Sequence, residues 1–177
     1  MMWRMPPTET PRGRLEKVLA VLVPGANPAG AVYGTITMGA LLAAESGIRE
    51  SYPETVGAAA MAIALYWLAH SYAELLGARL ESGERLTPPM LRRALRRDWP
   101  IVRGALAPLA SLLLCWALAV NLEKGVQVAV WVAAVSVVAF ELLAGLYAKA
   151  RPAELLLEGC VGVAMGLAML ALRAILH

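Results

Sequence analysis

The sequence predicts an all-α polytopic membrane protein of five transmembrane helices, with the N-terminus cytoplasmic and the C-terminus outside. Three observations carry this. Of 177 residues, 59% are apolar and 16% charged, whereas a soluble domain carries roughly 45–50% apolar and about 25% charged residues. The mean hydropathy is +0.62, an excess that a small soluble domain cannot absorb, because it must cover itself with polar surface. The apolar residues also gather in stretches of the length that crosses a hydrocarbon core, about 20 residues for ~30 Å. The same numbers exclude a disordered chain, a disulfide scaffold and a nucleic-acid-binding domain. The isoelectric point near 9.1 comes from loops and tails and needs no polyanionic partner.

The whole chain, 1–177, reads as a single membrane domain. Residues 1–27 form a cytoplasmic segment, and the apolar end of 13–23 is too short to span, so it reads as a helix lying on the membrane surface. A signal peptide is the rival there, weakened by Glu16 and Lys17 beside a thin apolar run. Span one is 28–45, entered through Pro28 after the break Pro24-Gly25-Ala26-Asn27. Span two is 55–78, just after Pro53. Span three is 101–121, entered through Pro100. Span four is 126–148, after Gly125, and span five is 153–174, entered through Pro152.

Charge sets the orientation. Thirteen of the 16 Lys and Arg residues fall before span one, between spans two and three, or between spans four and five. Only Arg49, Lys124 and Arg173 fall on the other side. Positive loops stay in the cytoplasm, which places the N-terminus inside. The loop 79–100 holds most of the charge. In it Leu91, Leu95 and Trp99 recur every four residues among Arg92, Arg93, Arg96 and Arg97, a basic amphipathic helix. It either meets anionic lipid headgroups or a protein partner, or is an ordinary positive-inside loop.

Small residues mark close packing. Gly30 and Gly34 in span one, and Gly162 and Gly166 in span five, stand four apart. That spacing lets helix backbones approach closely in lipid, so spans one and five are expected to make the tightest contacts.

Ionisable residues inside spans are where function is sought, because burying a charge at mid-bilayer costs at least ~2.5–3.5 kcal/mol. They are His70 and Glu74 in span two, Glu141 in span four and Glu158 in span five. At ~1.5 Å per residue these lie about 12, 6, 10 and 7 Å above the cytoplasmic boundary. Tyr66, His70 and Glu74 follow one another at four-residue steps and form one stripe, and Tyr33, Thr35 and Thr37 add hydroxyls from span one. One polar cluster in the cytoplasmic half is expected, able to bind a divalent cation or to relay protons. The plainer alternative is that Glu74 and Glu158 snorkel to water and that His70 bonds to Glu141 as helix glue. No nucleotide or metalloprotease motif is present, and Cys115 and Cys160 lie at different depths.

A resemblance adds to this. The stretch Gly25-Ala26-Asn27-Pro28-Ala29-Gly30-Ala31-Val32 resembles the entry into the first span of the vacuolar iron transporter family, and Leu155-Leu156-Leu157-Glu158-Gly159 resembles its last span. Five spans with the N-terminus inside match that family's topology. The resemblance implies a homodimer with its pathway at the subunit interface. Two departures stand against metal transport of the family's kind. Pro28-Ala29 replace the first-span aspartate, and the loop after span two is arginine-rich where family members with a metal-binding domain carry glutamates.

The functional expectation is an oligomeric transporter or channel, a dimer for preference, for a divalent metal ion or protons in a bacterial inner membrane. It would not be an enzyme. The alternative is a non-transporting scaffold or regulatory subunit that acts through the arginine-rich helix. A membrane enzyme acting on lipid is the third reading.

Overall fold

The computed structural model describes residues 28–45, 51–83, 85–147 and 150–176. The expected surface helix at 13–23, its signal-peptide rival, and Arg4, Arg12, Arg14, Lys17, Arg49 and Lys149 lie outside the described residues.

The described chain is helical throughout. The elements are α1 (Pro28–Ala44), α2 (Tyr52–Ser82), α3 (Pro88–Arg97), α4 (Trp99–Ala117), α5 (Leu122–Tyr147) and α6 (Pro152–Leu176). Four helical stretches are long and apolar enough to cross a membrane: Tyr52–Ser82, Pro88–Ala117, Leu122–Leu146 and Pro152–Leu176. The remaining apolar helix, α1, has 17 residues, about 25 Å at ~1.5 Å per residue, the lower limit for a span.

Proline supplies most of the helix entries, since its fixed φ suits the first turn and its missing N–H is not needed there. Pro28, Pro53, Pro88, Pro100 and Pro152 all stand in first turns. Two entries are closed by a carboxylate reaching back. The Ser51 amide donates to Glu54 Oε2 at 2.9 Å, and the Arg151 amide to Glu154 Oε2 at 2.8 Å. Each satisfies an N–H that the helix leaves orphaned.

The short helix α1 sits at the centre, packed mainly on α4 and α5. α2 leans on the α3–α4 side, and α6 lies along α5. The core is largely apolar: Met38, Leu42, Ile101, Leu112, Val126, Val130 and Val137 are fully buried. Glycine permits the closest crossing. A β-carbon on Gly34 would fall inside the Ile101 carbonyl, and one on Gly104 inside the Ala31 carbonyl. Thr35, wholly buried, spends its hydroxyl at the same crossing, within reach of Ala31 O (2.9 Å) and Gly104 O (2.8 Å). Both of the spans marked by their glycines make close contacts. Gly34 of α1 meets α4, and Gly162 and Gly166 of α6 meet Val138 and Ala134 of α5. Spacing alone marks which helices can approach closely and leaves the partner open.

The α4–α5 connection differs from the expected one, which ran span three to 121 and began span four after Gly125. The helix breaks at Leu118–Asn121, with Ala119 in the left-handed region at φ 53°. Gly125 lies inside α5, so its role is packing rather than starting a helix. The Tyr52 ring occupies the space where a β-carbon would be, while the Tyr52 hydroxyl donates to Val120 O (2.9 Å) or Asn121 O (3.2 Å).

The outer faces stay apolar. Leu65, Leu114, Trp131, Val135, Leu157 and Leu167 are all more than half exposed. Contiguous apolar surface on this scale needs a nonaqueous neighbour, and on helices of this length it marks a polytopic membrane protein whose partner is the lipid bilayer.

Candidate functional site

The site is assembled where α2 passes the junction of α3 and α4. α2 has 31 residues, about 46 Å at ~1.5 Å per residue, so it outruns a hydrocarbon core of ~30 Å. Trp67 fixes the level. Its Nε1 donates to Leu95 O at 3.1 Å, and its ring meets Trp99 edge to face at 5.2 Å. One turn further along α2 stands His70, and another turn on, Glu74. Both are level with Asp98, the turn residue between α3 and α4. The two residues therefore stand at the entrance of α4.

His70, Glu74 and Asp98 each offer a ligand atom, and these atoms lie within 4.8 Å of one another. His70 Nε2 is 3.3 Å from Glu74 Oε1. Arg97 joins the group: Nη2 pairs with Glu74 Oε2, and Nε donates to Asp98 Oδ1 at 3.2 Å. Asp98 is fully buried, and its Oδ2 has no hydrogen-bond partner among the described residues. Aromatic rings wall the imidazole. Tyr66 stacks on it at 6.0 Å, and Tyr33 from α1 stands tilted at 6.3 Å.

The arrangement could hold a cation. One imidazole nitrogen and two carboxylates form the N/O donor set used for divalent first-row metals, with positions left for water or substrate. In the structure the guanidinium of Arg97 supplies the positive charge between the two carboxylates.

The residues singled out from sequence separate into groups. His70 and Glu74 come together, with Tyr66 and Tyr33 around the imidazole. Glu141 and Glu158 are not members of that group; they meet each other across α5 and α6, near enough for their charges to interact. Glu158 fits against Gly145 and keeps Oε2 buried without a hydrogen-bond partner among the described residues. Thr35 is consumed by the α1–α4 crossing, and Thr37 is half-buried on α1. On α3, Ala94 is buried and Leu91 and Leu95 half-buried toward α2, while Arg92, Arg93, Arg96 and Arg97 are exposed. Sequence reasoning missed Asp98. It lies in a segment dominated by arginines, and its pairing arises from the turn that swings it onto α2.

Comparison with known protein families, curated proteins and solved structures finds no match to this chain.

Proposed function

We propose that this chain is a multi-pass protein of the bacterial inner membrane that binds and moves a small cation, a divalent metal ion or a proton, through the His70, Glu74 and Asp98 group. The observation that carries the reading is the gathering of three potential ligand atoms within 4.8 Å at the end of the helix bundle. The wholly buried carboxylate of Asp98, with Oδ2 unpartnered among the described residues, supports it, because a buried acceptor left unsatisfied calls for a partner. α1 counts as the fifth span, the N-terminus lies inside and the C-terminus outside. The resemblance to the vacuolar iron transporter family supports the same topology. The packed apolar centre between α1, α4 and α5 leaves no room for a wide route, which favours a pathway formed with a second copy, as a dimer. The reading involves no enzymatic turnover.

Reconstitution tests it. Proteoliposomes are assayed for uptake of manganese, iron, cobalt, zinc and protons. Wild-type flux that is lost in Asp98→Asn and in His70→Ala is expected. Folded, reconstituted protein that moves none of these ions would overturn the reading.

A second reading has its own support. Arg97 is engaged by Glu74 and Asp98, while Arg92, Arg93 and Arg96 remain exposed on α3. With Trp99 at the margin, 43% exposed, this face suits anionic headgroups or an acidic partner protein. Under this reading the chain is a scaffold, and replacing the three arginines by glutamine abolishes its action while Asp98→Asn does not.

A further inference from the structure

Between α1, α5 and α6 lies a cleft of about 380 Å³, open on one side. Its walls include Val32, Tyr33 and Ile36 of α1, Phe140 and Glu141 of α5, and Met165 of α6. The volume is that of a small-molecule pocket, and such pockets are apolar with a few placed polar groups. Here the charged group is Glu141. Glu158 stands behind it, close enough for the two charges to interact, with one oxygen buried and unpartnered among the described residues. No ion pair to either carboxylate occurs among the described residues. Two neighbouring carboxylates in apolar surroundings call for a positive charge.

The walls decide which cation fits. A hard divalent ion takes about six oxygen ligands, whereas this cleft offers the Glu141 carboxylate, the Tyr33 hydroxyl and hydrocarbon. A cation wrapped in apolar groups satisfies both features at once. Its body buries against Val32, Ile36, Phe140 and Met165, and its charge faces Glu141. A zwitterionic lipid head fits less well, because it would bring a phosphate beside the carboxylates. We propose that the cleft binds an organic monocation with an apolar body, of the quaternary ammonium or arylphosphonium type, which enters sideways from the bilayer. The proposal does not rest on the His70, Glu74 and Asp98 reading, although Tyr33 borders both places.

The test uses the full chain in an uncharged maltoside detergent, with tetraphenylphosphonium measured by equilibrium dialysis. Saturable binding near one per chain is expected, with at least tenfold loss in Glu141→Gln and no competition from neutral tetraphenylmethane. Asp98→Asn should bind as wild type does, so this result and the cation-flux result can fail separately. If Glu141→Gln does not fold, Ala29→Trp serves instead. It fills the cleft from an exposed position at its rim, keeps the carboxylate, and should also lower binding at least tenfold. Absence of saturable binding in wild type, or wild-type binding in both variants, would overturn the proposal. Displacement of the probe by equimolar phosphatidylcholine would overturn it too, and would give the cleft to a lipid head.

Discussion

At Asp98 a whole carboxylate is withdrawn from solvent while one of its two oxygens has a partner among the described residues, the Arg97 Nε. The guanidinium of Arg97 spans Asp98 and Glu74, so it occupies the charge position that a divalent ion would take. Two outcomes follow for manganese bound to the purified protein and read by electron paramagnetic resonance. Asp98→Asn should weaken binding at least tenfold, because one anionic ligand is gone. Arg97→Gln should strengthen it several-fold, because a resident competitor is gone. Ligands must shed their protons to coordinate, so binding should also weaken as the pH is lowered. Loss of binding in Arg97→Gln would mean that the arginine latches the fold rather than competing for the site. Half of this group was legible in the sequence. His70 and Glu74 are one helical turn apart, and a local spacing survives into the structure. Asp98 was not legible, because its place depends on the packing of the α3–α4 turn against a helix some 25 residues earlier in the chain. Glu141 and Glu158 were legible as carboxylates within spans, but their separation from His70 depends on which faces α5 and α6 turn to each other.

Helices that begin at a proline could be read directly, because the ring sets the local backbone whatever surrounds it. Glycines could not, since one residue type serves as helix stop, close contact and filler. Gly104 and Gly77 show the contrast. A β-carbon at Gly104 would collide with the Ala31 backbone, whereas at Gly77 it would meet nothing within 4 Å. Gly104→Ala should therefore destabilise the bundle by about 1–3 kcal/mol through overpacking. Gly77→Ala should stabilise α2 by up to about 1 kcal/mol through helix propensity. Thermal unfolding in detergent checks both, and a loss at Gly77 or a gain at Gly104 would contradict the packing. On α3, the combined variant Arg92→Gln, Arg93→Gln and Arg96→Gln should lose most of the stabilisation that phosphatidylglycerol gives over phosphatidylcholine. No difference between the two lipids in wild type would remove lipid from the second reading.

The four long apolar stretches and the all-helical class were legible at the scale of the whole molecule, because they rest on composition and length. The arrangement of layers was not. The least buried of the long helices are α2 and α6, each 17% buried over its most apolar window against 39% for the α3–α4 stretch, and nothing in their composition marks them as peripheral. Orientation is open to direct measurement. With Cys115 and Cys160 replaced by serine, a single cysteine at exposed Arg85 should react with a membrane-impermeant thiol reagent only after the cytoplasmic face is opened. A cysteine at exposed Ala119, on the α4–α5 turn, should react in intact cells. The reverse pattern would invert the topology.

The central place of α1 bears on how the protein is made. This helix leaves the ribosome ahead of every other described element, yet its neighbours are Gly104, Ile101, Ala133 and Met169, all far downstream. While only α1 and α2 exist, the backbone groove at Gly34 and the hydroxyl of Thr35 have no α4 to meet. The contacts that fix the first helix can therefore form only after synthesis has passed the middle of the chain. Its settling among later helices is then a late step in biogenesis, and any agent that guards unfinished membrane proteins has its longest task with this segment.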